Sequence, residues 1–176
     1  LSGVEPLVAT PHSPGNVKKI SELEGLKVDQ VCIGSCTNSS YKDMMTVAAI
    51  LKGRMVHPDV SLGIAPGSRQ ILLMLAQNGA LSDLLGAGGR IMESACTFCS
   101  GGEFSPKSAG VSIRTSNRNF EGRSGTKDAQ VYLASPEVAA VAAVTGKLAD
   151  PRKFGLAYPK FEEPEQYIID DSMFLF

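Results

Sequence analysis

The chain has no tryptophan, only two histidines and only four cysteines in 176 residues. Histidine is the commonest metal ligand and the usual general base near neutral pH. Here His12 lies in a proline-rich leading segment and His57 stands just before Pro58, so both read as surface residues. Histidine-based zinc sites and serine–histidine nucleophile pairs therefore have little to build on. Four cysteines are too few for a disulfide scaffold in a chain this long, so the thiols read as metal ligands or catalytic groups in a reducing, cytoplasmic setting. An excess of either charge is also missing: 17 Lys and Arg face 18 Asp and Glu, for a net charge of −1. That balance argues against a general nucleic-acid or membrane-surface binder. No apolar run approaches the ~18–20 residues that span a bilayer. The chain starts at Leu1 with no signal-like segment and stops at Phe174-Leu175-Phe176, so both ends read as cut from a longer protein.

What is present is an ordinary globular composition, 43% hydrophobic and 20% charged, enough for about one domain of ~100–200 residues. Residues 1–17 hold Pro6, Pro11 and Pro14 and read as an extended leader, and Val17 to Leu23 as a short helix. Strands are expected at 27–33, 60–65, 90–92, 111–115 and 130–133, where apolar runs meet Gly, Pro or Ser. Helices are expected after Ser39 or Ser40, after Ser68 with Ile71, Leu72, Leu75 and Ala76 buried, at 81–85, and after Ser135-Pro136-Glu137. The serines are cap residues, Pro136 suits the first helical position, and Gly146 is placed to stop the last helix. Alternating strands and helices predict a three-layer α/β/α domain with a mainly parallel sheet over 1–151, followed by a linker over 152–176.

Sites in such sheets gather at the carboxyl ends of strands. Cys36, Cys96 and Arg118 lie just beyond three different expected strand ends, with Cys99 beside Cys96, and Arg118 belongs to a basic run with Arg114, Arg123 and Lys127. A cysteine pair two residues apart suits zinc, a redox disulfide or an iron–sulfur cluster. Zinc wants a fourth ligand that is hard to find here. A reactive disulfide wants a helix N-terminus, whereas Gly101, Gly102 and Pro106 follow the pair. Three thiolates on a four-iron cluster would leave one iron open to act as a Lewis acid. Cys32, on the strand before Cys36, reads as a core residue rather than a fourth ligand. Asn38 and Ser39 read as turn and cap residues, and Ser116 as backbone support.

Five stretches occur in the same order as in the aconitase family, which this chain resembles over about residues 28–151. They are Cys32-Ile33-Gly34-Ser35-Cys36-Thr37-Asn38-Ser39-Ser40-Tyr41, Ala65-Pro66-Gly67-Ser68, Ala95-Cys96-Thr97-Phe98-Cys99, Asn117-Arg118-Asn119-Phe120-Glu121-Gly122-Arg123 and Ser135-Pro136-Glu137. The resemblance implies the third domain of an aconitase, with a [4Fe-4S] cluster on Cys36, Cys96 and Cys99. It implies that Arg118 and Arg123 bind the carboxylates of a di- or tricarboxylic acid and that Asn117 lies beside the cluster. The implied reaction interconverts citrate and isocitrate through cis-aconitate, in the tricarboxylic acid cycle. Isopropylmalate and homoaconitate isomerases share the arginine loop and are the alternatives; a non-enzymatic metal-binding or redox module is the rival of another class.

Two features depart from or limit the resemblance. Family members usually carry Gly-Pro between the paired cysteines, where this chain has Thr97-Phe98. The family's catalytic serine base and histidine–carboxylate pairs belong to domains outside this chain. The remaining domains of the parent are thus the expected partners, and the fragment by itself is expected to be inactive and prone to lose the cluster.

Overall fold

The computed structural model describes residues 4–161 and 163–172. Its strands are β1 (Leu7–Ala9), β2 (Val17–Lys19), β3 (Gln30–Gly34), β4 (Ser61–Ala65), β5 (Arg90–Ile91), β6 (Val111–Arg114) and β7 (Gln130–Leu133). Among the described residues they form a single sheet in the order β2-β1-β7-β6-β3-β4-β5. The run from β7 to β5 is parallel; β1 is antiparallel to both β7 and β2. An α/β fold with a mainly parallel sheet is therefore what the chain forms.

The leading segment differs from expectation. Leu7–Ala9 is a strand, and Val17–Lys19 is a second strand followed by a 3-10 turn at Ile20–Glu22 rather than one helix. Pro11, Pro14 and Gly15 sit in the hairpin loop between the two strands. Thr10 closes that loop, its amide and hydroxyl donating to the Asn16 carbonyl at 2.7 and 2.9 Å. Val17, Lys18 and Lys19 are all exposed on the edge, and lysine on an edge strand discourages pairing with another chain.

Four helices follow: α1 (Tyr41–Leu51), α2 (Arg69–Gln77), α3 (Ala80–Gly86) and α4 (Pro136–Thr145). Ser40 caps α1, accepting from the Asp43 amide at 3.2 Å while its own amide donates back to the Asp43 carboxylate at 3.0 Å. That reciprocal pair satisfies two amides that the first turn would otherwise leave without partners. Ser68 and Ser135 cap α2 and α4, and Gly146 ends α4 at φ 71°. On α2 the deeply buried residues are Met74 and Leu75, whereas Ala76 is exposed. The apolar stripe is thus rotated from the expected one. Helix α4 is buried all round because it packs against both α1 and β3.

Alternation along the strands divides the sheet into two unlike faces. Val31, Ile33, Leu62, Ile64 and Ile113 join the helices in one large core. The opposite face carries Gln30, Cys32, Gly63, Ala65, Ser112 and Arg114. It is covered by the irregular segment 93–106, whose Phe98 packs on Cys32, Ala65 and Met92 with Phe104 alongside.

Beyond α4, Asp150 is 3% exposed and its carboxylate takes the Arg152 guanidinium at 2.6 Å. After a 3-10 turn at Pro151–Lys153, Phe154, Leu156, Phe161 and Ile168 pack against the main core. Phe161 and Tyr167 meet Tyr41 edge-on, with ring centroids 6.2 and 5.8 Å away. The apolar end at Phe174-Leu175-Phe176 lies outside the described residues.

Candidate functional site

The chain runs outward from β3 to β4 and β5, then returns to the other side of β3 as β6. Such a reversal opens a crevice beyond the carboxyl ends of the two central strands. Cys36 follows β3 and Arg118 follows β6, so the topology places both at that crevice.

The loop after β3 is tightly bent. Gly34 has φ 97°, and the non-glycine residues Ser35 and Asn38 have φ 90° and 51°. Positive φ at residues with side chains costs about 1–3 kcal/mol each and persists only where neighbours hold the backbone. Those neighbours are the other site loops. The Gly34 amide donates to Thr115 Oγ1 at 2.8 Å, and Asn38 Nδ2 donates to the Thr115 carbonyl at 2.6 Å. Ser35 uses its amide on the Ala65 carbonyl at 2.9 Å and its hydroxyl on the Ala95 carbonyl at 3.1 Å. Ser39 donates back to the Ser35 carbonyl at 2.6 Å. Asn38 and Ser39 thus satisfy the turn, while Ser40 is the cap. The cysteine turn is stitched to all three adjoining loops.

Segment 93–106, which presents Cys96 and Cys99, consists of turns and bends rather than a helix. It is fixed by a second close approach: Gly101 lies so near the arginine loop that a Cβ there would sit 2.5 Å from the Ser124 carbonyl carbon. The replacement of Gly-Pro by Thr97-Phe98 has a counterpart beneath it. Gly63 has no side chain, and a Cβ there would be 3.0 Å from both the Phe98 and Phe104 rings. The phenylalanine occupies space that β4 leaves free.

The arginine loop is anchored by a residue with no predicted role. Asn119 is 1% exposed, and its Nδ2 donates to the Thr10 carbonyl at 2.7 Å and the Val131 carbonyl at 3.1 Å. Its own carbonyl accepts from the His12 amide at 3.1 Å. Arg118 and Arg123 are exposed, and Arg118 Nη1 donates to Asn117 Oδ1 at 3.1 Å. Asn119→Ala would leave one buried and one partly buried carbonyl without this donor, for an expected loss of about 1–3 kcal/mol in urea unfolding. Equal stability of the variant would show that the loop is held elsewhere.

Arg114 does not belong to the exposed basic run in which the sequence placed it. It is 0% exposed and lies beneath segment 93–106. A strand residue opposite Cys32 points into the sheet's covered face, and among the described residues no carboxylate pairs with it there.

All four thiols are free. Cys32 is 1% exposed, and burial pushes its thiol up to about 11, against the pull of Arg114 and the Ser112 hydroxyl. It is the core residue expected. Cys36 and Cys96 are exposed, and Cys99 is 6% exposed. Burial first, then repulsion from Cys36 and Cys96, raises the Cys99 thiol above its ordinary value; Arg123 and Arg114 pull it down. The structure therefore brings Cys36, Cys96, Cys99 and Arg123 within electrostatic reach of one another. A cation binding there would have to displace a proton from Cys99.

Among the described residues, no three His, Cys, Asp or Glu side chains gather closely enough to hold a metal ion. A cluster with sulfide between its irons is wider than an ion and asks for thiolates set further apart. The surroundings fit such a group. Among the described residues four buried side-chain atoms lack any hydrogen-bond partner: Thr37 Oγ1, Thr97 Oγ1, Ser116 Oγ and Asn119 Oδ1. Two belong to the residues directly after Cys36 and Cys96, and a third to the residue before Asn117. Buried hydroxyls without acceptors are costly, and thiolate and sulfide sulfurs are acceptors. Ser116 accordingly does not brace the backbone as expected, because its hydroxyl bonds to nothing.

The aconitase family (aconitate hydratase) model matches residues 7–146. The chain is 44% identical over 155 residues to the 3-isopropylmalate dehydratase large subunit 1 of Methanopyrus kandleri, covering 88% of this chain and 37% of that protein. It is 45% identical over 168 residues to the 3-isopropylmalate dehydratase large subunit of Sulfurihydrogenibium sp., covering 95% and 38%. The corresponding subunit of Sulfurisphaera tokodaii is 47% identical over 156 residues, covering 88% and 37%. The chain thus spans little more than a third of the length of these relatives. With the ordered motifs, the strand-end site and the match over most of its length, this chain belongs to the aconitase family.

Proposed function

We propose that the protein carrying this chain is an iron–sulfur hydro-lyase of the 3-isopropylmalate dehydratase type, and that this chain supplies its cluster ligands and carboxylate-binding arginines. The observation that supports this best is the convergence of Cys36, Cys96, Cys99 and Arg123 at the sheet's reversal point, among hydroxyls without partners. In this reading Cys36, Cys96 and Cys99 hold a [4Fe-4S] cluster. Such a group, when bound by three thiolates, supplies one iron able to draw electron density from a substrate hydroxyl. Arg118 and Arg123 take the substrate carboxylates, for which a planar two-donor fork is suited. Asn117 holds Arg118 through the bond between Oδ1 and Nη1, beside the same crevice. The proton transfers fall to residues outside this chain, and the whole site forms only with the parent's other parts.

The relatives favour the alternative over the substrate first expected. The relatives named above are 3-isopropylmalate dehydratases, so citrate, isocitrate and the tricarboxylic acid cycle give way to a branched-chain dicarboxylate. The decisive assay offers the full-length protein 3-isopropylmalate, citrate and isocitrate separately under anaerobic conditions. Dehydration of 3-isopropylmalate with little turnover of the other two is expected. Turnover of citrate and isocitrate alone would restore the aconitate hydratase reading.

The arginines carry a second expectation. Loss of a charge-assisted hydrogen bond to a carboxylate costs about 1.5–3 kcal/mol. Arg118→Ala and Arg123→Ala should therefore each lower kcat/KM about 10- to 100-fold. Unchanged kcat/KM in both variants would remove the arginines from the substrate site.

A further inference from the structure

The structure buries one full positive charge for which the proposed reaction gives no reason. Arg114 is the largest of the fully buried side chains. Its partners are all neutral. Nε donates to Ser112 Oγ at 3.0 Å, Nη2 to Gln30 Oε1 at 3.1 Å and the Phe104 carbonyl at 3.3 Å, and Nη1 to the Phe98 carbonyl. Gln30 is held in turn, accepting from the Ser112 hydroxyl at 2.8 Å and donating to the Ser105 carbonyl at 3.0 Å. Among the described residues no carboxylate pairs with Arg114; the ion pairs of the chain lie elsewhere.

A buried cation without an anion costs several kcal/mol. Methionine or leucine would fill the same space under Phe98 and Phe104 without that cost. Two things would be lost with the exchange. One is the clamp: the guanidinium fork bonds the carbonyls of Phe98 and Phe104, which lie on either side of Cys99. The other is the charge, which sits beneath the segment bearing two of the three thiols.

We propose that Arg114 is a positioning residue for the cluster. It pins the loop that presents Cys96 and Cys99, and its uncompensated charge offsets the negative charge that three thiolates bring into a partly buried site. The inference rests on the iron–sulfur reading and adds a role for a residue outside the ligand set. Net charge, burial and hydrogen bonding are what set a cluster's potential, so the role has a readout other than activity.

The test uses the full-length protein, reconstituted anaerobically with iron and sulfide, in four forms: unchanged, Arg114→Gln, Arg114→Lys and Gln30→Glu. Iron and sulfide per chain, the midpoint potential and circular dichroism are measured on each. Arg114→Gln is expected to keep its fold, retain less than half the iron and shift the potential of what remains to more negative values. Arg114→Lys is expected to keep the potential near the unchanged protein's but lose iron, because three ammonium donors cannot meet all four acceptors that the guanidinium holds. Gln30→Glu sets a carboxylate against the guanidinium and cancels its charge, so the potential is expected to become more negative with Arg114 still in place. An arginine whose charge does not reach the cluster would simply pair with that glutamate and leave the potential unmoved. Should Arg114→Gln fail to fold, the Gln30→Glu potential decides alone. A negative shift supports the proposal, and an unmoved one overturns it. If the unchanged protein takes up no cluster, the iron–sulfur reading fails and this inference falls with it.

Discussion

Cys99→Ser in the full-length protein is expected to abolish iron–sulfur absorption and hydro-lyase activity together, with loss of more than about 1,000-fold in rate. Serine is nearly the same size, so packing changes little. Its oxygen is hard and stays protonated, whereas an iron–sulfur cluster is held by soft thiolate. Cys36→Ser and Cys96→Ser should behave alike, since these thiols and Cys99 act electrostatically on one another. Cys32→Ala supplies the contrast. That thiol packs among Ala65, Met92 and Phe98, so its truncation should cost about 1 kcal/mol of stability and leave the iron content intact. Iron and sulfide counts on the four variants check this. Loss of iron from Cys32→Ala, or its retention in Cys99→Ser, would mean that the ligands have been misassigned.

Gly34→Ala is expected to be the most damaging single methyl in the chain. A Cβ at this position would lie 2.0 Å from the Ala65 carbonyl oxygen, and the backbone is at φ 97°. The obstacle is main chain of the neighbouring strand, so no rotamer change relieves it. Strain and clash together should remove about 3 kcal/mol or more in urea unfolding and displace the Cys36 turn. Gly53 isolates the strain component, because it has φ 68° but a Cβ there would meet nothing within 4 Å. Gly53→Ala should cost about 1 kcal/mol. Similar costs at the two positions would show that the close contact between β3 and β4 plays no part.

The parallel sheet was legible because its signals are local. Serine caps, Pro136 and the glycine stops each act within one turn of chain, and apolar runs mark the buried strands whatever lies beside them. The hairpin of β1 and β2 was not legible: prolines and lysines suit an extended leader as well as an edge, and only pairing with β7 distinguishes the two. The three thiols were singled out by spacing and resemblance, whereas the residues that hold their loops were not. Arg114 looked like part of a basic surface because Arg118 and Arg123 follow it closely. Its one sequence signal was its position on a strand between buried residues, where alternation turns it inward with Ser112 and away from Ile113. Asn119 was hidden inside a motif whose other members face solvent. Its role depends on Thr10 and Val131, remote in sequence. The arginine loop could not separate one substrate from another, because it is common to enzymes that differ in what they accept.

Three thiolates holding four irons would leave one iron without a protein ligand, and that iron should be the first to leave. Mild oxidation of the anaerobically prepared full-length protein, followed by iron counting and electron paramagnetic resonance, reads this directly. The expected result is loss of one iron in four, a three-iron signal, and recovery of the original spectrum on adding ferrous ion. Loss of all iron without a three-iron species, or reversible oxidation of Cys96 and Cys99 in a protein that never held iron, would contradict it.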